Sequence, residues 1–175
     1  MKRLALFMLM FYSFALHAQK SNSFSFQIPF QFIDYYENRS VLGFEIAYHR
    51  LFKEHLNIGL GLAYSRELAD RNKVLRINAL LTSRITAQYY FMPELKRFFF
   101  QGELGYSAVD ENVNVISAKL SFGSRLNIGL GIGYAIPIKD WRIVIDANTG
   151  TYLNLLENRA GALFNRFSLG GIYVF

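Results

Sequence analysis

Arg166-Phe167-Ser168-Leu169-Gly170-Gly171-Ile172-Tyr173-Val174-Phe175 alternates with a period of two. Phe167, Leu169, Gly171, Tyr173 and Phe175 fall on one face, and Arg166, Ser168, Gly170, Ile172 and Val174 on the other. A strand that ends on an aromatic, with large apolar residues on one side, suits the closing strand of a β-barrel that faces lipid outward. That choice of solvent decides how every other strand is read. Apolar residues then belong outside and polar residues inside.

The same frame runs back through the chain. Phe24, Phe26, Ile28, Phe30 and Phe32 share a face, as do Leu42, Phe44, Ile46 and Tyr48, then Leu56, Ile58, Leu60, Leu62 and Tyr64. Leu75, Ile77, Ala79, Leu81, Ile85, Ala87, Tyr89 and Phe91 form a fourth set, and Leu120, Phe122, Leu126, Ile128, Leu130, Ile132 and Tyr134 another. In these frames Glu45, His49, Arg76, Arg84, Glu103, Lys119, Arg125, Arg142, Asp146 and Arg166 all point inward. A cation facing lipid at mid-depth costs about 2–4 kcal/mol, so the pattern has a cause. Arg50 breaks it at a strand end, where its stem can snorkel. Ser83 and Ser124 stand on the lipid face, and Pro29 inside the first strand cannot donate to the ladder.

Three short charged turns, at 53–55, 92–97 and 139–140, each follow an aromatic strand end. They imply six strands, and one more on either side makes eight. The expected spans are about 23–33, 41–52, 56–66, 74–91, 98–109, 117–136, 141–152 and 162–175. The longer polar connections Asp34–Ser40, Glu67–Lys73, Asp110–Ile116 and Leu153–Gly161 lie at the opposite end, the asymmetry of an outer-membrane barrel. The fold class is thus all-β: an eight-stranded antiparallel up-and-down transmembrane β-barrel over 19–175.

Residues 1–18 read as a cleaved signal peptide. Lys2 and Arg3 precede an apolar run from Leu4 to Leu16, and Ala18 is the expected cleavage point. The run is short for an inner-membrane anchor, which needs about 20 apolar residues. The formal charge is +6, and losing Lys2 and Arg3 leaves six less two, or +4. For an exported chain this suits a lumen or an anionic lipopolysaccharide surface better than nucleic acid. With no Cys there is no lipoprotein anchor, disulfide, cysteine metal site or thiol catalysis.

The leader, the alternation and the terminal aromatic resemble the small outer-membrane β-barrel family of Gram-negative bacteria, the OmpA/OmpX-like, porin-like barrels. The resemblance covers the whole mature chain. It implies an outer-membrane location, outer-membrane lipid and lipopolysaccharide as surroundings, and insertion by the barrel assembly machinery. Phe175 and Tyr173 would belong to the signal that machinery reads. Lipid A deacylases of this architecture carry a His and a Ser together on the lipid face. Here His49 points inward and His55 lies in a turn, so an enzyme is not expected.

Charges inside an eight-stranded barrel most often fill it. Glu103 is expected between Arg84 and Arg125, with Asp146 facing Arg166. Turn position sets these pairs: strands joined at 92–97 pair residues whose numbers sum to about 187–189, and strands joined at 110–116 to about 226–228. Two mature histidines, His49 and His55, are too few for a metal site, and no cofactor is expected. The leading reading is a non-enzymatic structural or surface-interaction protein. Alternatives are a narrow channel or small-ligand carrier using a lumen lined by Gly59, Gly61, Gly129, Gly131 and Gly133, and an accessory barrel of a secretion or assembly system.

Overall fold

The computed structural model describes residues 22–35, 37–52, 54–68, 75–93, 95–113, 125–153 and 161–175. The candidate leader, Lys119 and Ser124 lie outside the described residues, as does the side chain of Arg76. Eight strands follow in order: β1 (Asn22–Tyr35), β2 (Glu37–Phe52), β3 (Leu56–Glu67), β4 (Leu75–Met92), β5 (Lys96–Val113), β6 (Arg125–Ile138), β7 (Trp141–Leu153) and β8 (Ala162–Val174). Each pairs antiparallel with the next, and β8 closes on β1.

One inward row runs Ser23, His49, Gly59, Thr86, Glu103, Gly129, Gly150, Phe164 and returns to β1 at Ile33. The ladder therefore climbs ten residues, from 23 to 33, in one circuit. Such a stagger goes with strands tilted by roughly 40° to the barrel axis.

Alternation places the side chains as the sequence reading required. Glu45, His49, Arg84, Glu103, Arg125, Arg142, Asp146 and Arg166 are buried, while Leu60, Ile85, Phe98, Leu130 and Phe167 are exposed on the outside. Trp141, Tyr173, Phe98, Tyr89 and Tyr134 mark one end of this apolar band. Eight residues up their own strands from Trp141, Tyr173 and Phe98 stand Thr149, Asn165 and Tyr106; Tyr64 stands eight above Leu56. Eight residues on a tilted strand rise roughly 20 Å, close to the apolar height of an outer-membrane barrel. Thr149, Asn165 and nearby Ser83 thus stand at the far border of the apolar band, which is where an outward serine fits.

Three expectations need correction. The segment Asp34–Ser40 is not a loop: β1 and β2 stay paired up to Tyr35 and Glu37. Likewise β5 runs on to Val113, through residues read as the start of a connection. Both stretches rise beyond the apolar band, where the outer face no longer has to be apolar and alternation fades. The third concerns Ile77, placed outward by parity. A register shift between Ile77 and Ala79 turns it inward, where it is 1% exposed. Its amide donates to Glu67 Oε2 at 2.8 Å.

Candidate functional site

The lumen is filled in four layers: an apolar roof, a charged middle, a chain of amides and an apolar floor. In the middle, four strands bring together alternating charges. Arg84 Nε donates to Glu45 Oε1 at 2.8 Å, and its Nη2 meets Glu45 Oε2. Arg84 Nη1 reaches Glu103 Oε2 at 3.4 Å. Arg166 clamps Glu103 with both ends of its guanidinium, Nη1 to Oε1 at 2.9 Å and Nη2 to Oε2. The order Glu45–Arg84–Glu103–Arg166 balances two negative with two positive groups. That is how charges survive burial where the side chains of Arg84, Glu45 and Glu103 are at most 6% exposed.

Glycines on the same rows give these side chains room. A Cβ on Gly61 would lie 2.8 Å from Glu45 Oε1, and one on Gly129 would lie 3.1 Å from Glu103. A Cβ on Gly59 would strike His49, on Gly131 Asn148, and on Gly133 Phe99. The space left by the lumen glycines is already filled. An interior cavity beside Arg84, Glu103 and Arg166 measures about 10 Å³, barely room for one water.

A second chain, of amides, crosses the lumen nearer the short turns. Asn57 Nδ2 donates to Gln88 Oε1 at 2.8 Å, Gln88 Nε2 to Gln101 Oε1 at 2.7 Å, and Gln101 Nε2 to Asn148 Oδ1 at 3.2 Å. Asn148 Nδ2 then donates to Asp146 Oδ1. Ser25 and His49 share a hydrogen bond of 2.9 Å on the other side.

Apolar clusters close both ends. Tyr90, Leu95, Phe99, Ala135, Val144 and Ile172 form a floor at the short-turn end. Ile33, Val41, Ile77, Leu80, Tyr152, Ala162 and Phe164 form a roof. Rings pack within each, Tyr90 on Phe99 at 4.8 Å and Tyr152 on Phe164 at 5.1 Å. Above the roof, Arg39 and Glu67 pair at 3.5 Å while buried. Sequence reasoning missed the floor, the roof and the amide chain. Their signal was present as inward-frame Phe99, Val144, Phe164 and Ile172 at strand ends, and inward-frame Gln88, Gln101 and Asn148 between them.

Of the five charged residues singled out from sequence, the structure joins Glu103 to Arg84 and Arg166. Arg125 is elsewhere: it stands opposite Ser107, and Glu103 stands opposite Gly129. The β5–β6 pairs sum to 232, not 226–228, because β5 continues through what was read as a loop. Asp146 does not face Arg166 either. Its neighbour across β7–β8 is Ser168, while Arg166 lies opposite Asn148 and spans the lumen to Glu103. Among the described residues no three His, Cys, Asp or Glu side chains gather as metal ligands.

At the seam, Phe175 N donates to Asn22 O at 2.9 Å, and Tyr173 packs on Trp141 with ring centres 5.1 Å apart. This arrangement binds the last strand to the first and sets the aromatics Trp141, Tyr173 and Phe175 on the outer surface.

No family model matches the chain, and no curated protein matches it. Its fold does match solved structures. Neisserial surface protein A aligns with a TM-score of 0.63 at 11% identity, over 88% of this chain and 97% of that one. Ail, the attachment invasion locus protein of Yersinia pestis, gives 0.53 at 14% identity, over 90% and 100%. OprG from Pseudomonas aeruginosa gives 0.53 at 11% identity, over 89% and 97%. The fold is therefore that of small eight-stranded outer-membrane barrels.

Proposed function

We propose that this chain is an exported, integral outer-membrane barrel that does not conduct and serves as a non-enzymatic structural or surface-interaction module. The observation that carries this is the sealed lumen: an ion-paired middle between two apolar plugs, with a cavity too small for a solute. An outward apolar band between aromatic and polar borders supports the membrane reading. The likeness to OprG, an outer membrane protein, supports the outer membrane in particular. The rim beyond that band, carrying exposed Asp34, Arg66 and Asp110, meets the surroundings.

The test is a reconstitution. Protein extracted from outer membranes should have the mass of a chain beginning at Gln19, and in planar bilayers it should give no steps above the lipid baseline. Resolved single-channel steps would reject the sealed-lumen reading, and recovery in the soluble periplasmic fraction would reject the membrane one.

Tyr173 and Phe175 are the proposed recognition signal for the barrel assembly machinery, with Phe175 also completing the seam. Deleting Phe175 removes its backbone pair with Asn22 and leaves two strand edges partly open. Assembled barrel should fall several-fold, read as loss of the SDS-resistant fast-migrating band in unheated samples, with matching accumulation of degraded chain. Unchanged assembly kinetics would rule out this role.

A further inference from the structure

Beneath the apolar floor, at the short-turn end, the barrel opens as a vestibule of about 700 Å³. Leu51, Leu95 and Val174 line it, with Lys96, Lys139 and Arg142 around them and Asp140 as the acidic side chain. Leu95 belongs both to the floor cluster and to this lining, and its backbone φ of 57° turns the hairpin under the barrel. Arg142 is only 7% exposed. Its Nη1 donates to the carbonyls of Lys139 at 2.6 Å and Trp141 at 2.8 Å, which fixes a guanidinium in the wall. Volume, an apolar base and a few converging charged groups are the marks of a small-molecule site.

We propose that this vestibule binds a free anionic amphiphile. A carboxylate or sulfonate head meets Lys96, Lys139 and Arg142, and a short tail covers Leu51, Leu95 and Val174. Among the described lining residues, Lys96, Lys139 and Arg142 outnumber Asp140 and the Phe175 carboxylate, which favours an anionic head. Bilayer lipid is kept out by the barrel wall, where Trp141 and Tyr173 pack together and face outward. The inference rests on the membrane-barrel reading, since that reading leaves this mouth open to water.

The probe is decanoate, titrated calorimetrically into the barrel in nanodiscs of zwitterionic lipid, with protein-free discs subtracted. Saturable uptake of one molecule per barrel is expected. The double variant Lys96→Glu/Lys139→Glu should weaken it by about ten-fold or more, and added salt should weaken it further. Lys139→Glu alone, at an exposed turn, gives the same direction should the double variant assemble poorly. Equal binding by the variants, or equal uptake of decyltrimethylammonium, would show partitioning and overturn the site. Loss of decanoate affinity in discs containing phosphatidylglycerol would make a lipid headgroup the occupant and overturn the free amphiphile. Failure to insert into discs would overturn the membrane reading and the site with it, whereas an inserted barrel without saturable uptake overturns the site alone.

Discussion

Glu103→Ala should cost about 3–5 kcal/mol of stability, because it strands cationic groups in a dry lumen. Arg166 loses both of its carboxylate contacts and Arg84 loses one of its two partners. Urea unfolding in lipid vesicles reads the loss directly. Arg166→Met combined with Glu103→Ala should recover part of it, since the stranded guanidinium is gone. Arg125→Met provides the contrast. Arg125 sits opposite Ser107, four positions along β5 from Glu103, so these two should add within about 0.5 kcal/mol. Strong coupling of Glu103 to Arg125, with none to Arg166, would mean that the β5–β6 register given above is wrong.

Gly170→Val should prevent closure rather than merely weaken it. A Cβ at Gly170 would sit 2.1 Å from the carbonyl oxygen of Phe26 and 2.7 Å from Gln27 Cα, both backbone atoms of the partner strand. Gly170 lies on the β8–β1 seam, opposite Gln27, so the clash falls where the sheet becomes a barrel. Backbone cannot step aside as a side chain can, and the variant should yield little or no SDS-resistant fast-migrating band in unheated samples. Gly102→Ala is the matched control. Its added Cβ meets only Leu130 Cδ2 at 3.8 Å, on the lipid face, and it should assemble normally. Normal assembly of Gly170→Val would refute the close approach of the two strands.

The sequence carried the eight strands and their faces because lipid outside and charge inside leave opposite marks on alternate residues. Arg84, Glu103 and Arg166 could be put in the lumen on that ground alone. Partners were harder. The β4–β5 register, with sums of 189, lay within reach because a short turn at 93–95 leaves little freedom. The β5–β6 register did not, because a long connection says nothing about pairing, and Arg125 was placed too close to Glu103 in consequence. Strand ends failed for a different reason. Beyond the apolar band the outer face of β5 turns polar, so Asp110 there has the look of a loop residue. The plugs escaped notice because inward apolar residues such as Phe99 and Phe164 run against the rule that fixed the frame.

On the proposed membrane reading, the ten-residue climb of the ladder turns the bilayer into a ruler. Parity alone fixes each pairing only up to even slips, since a shift of two residues leaves every side chain on its proper face. On strands tilted this way, such a slip lowers a residue by about 5 Å relative to the membrane. Asn165, Thr149 and Ser83 would sink into hydrocarbon, or Trp141 and Tyr173 would leave their interface. Odd errors are rejected by which face a residue occupies, and even errors by how deep it lies. Membrane thickness thus supplies the half of the registration that hydrophobic alternation cannot.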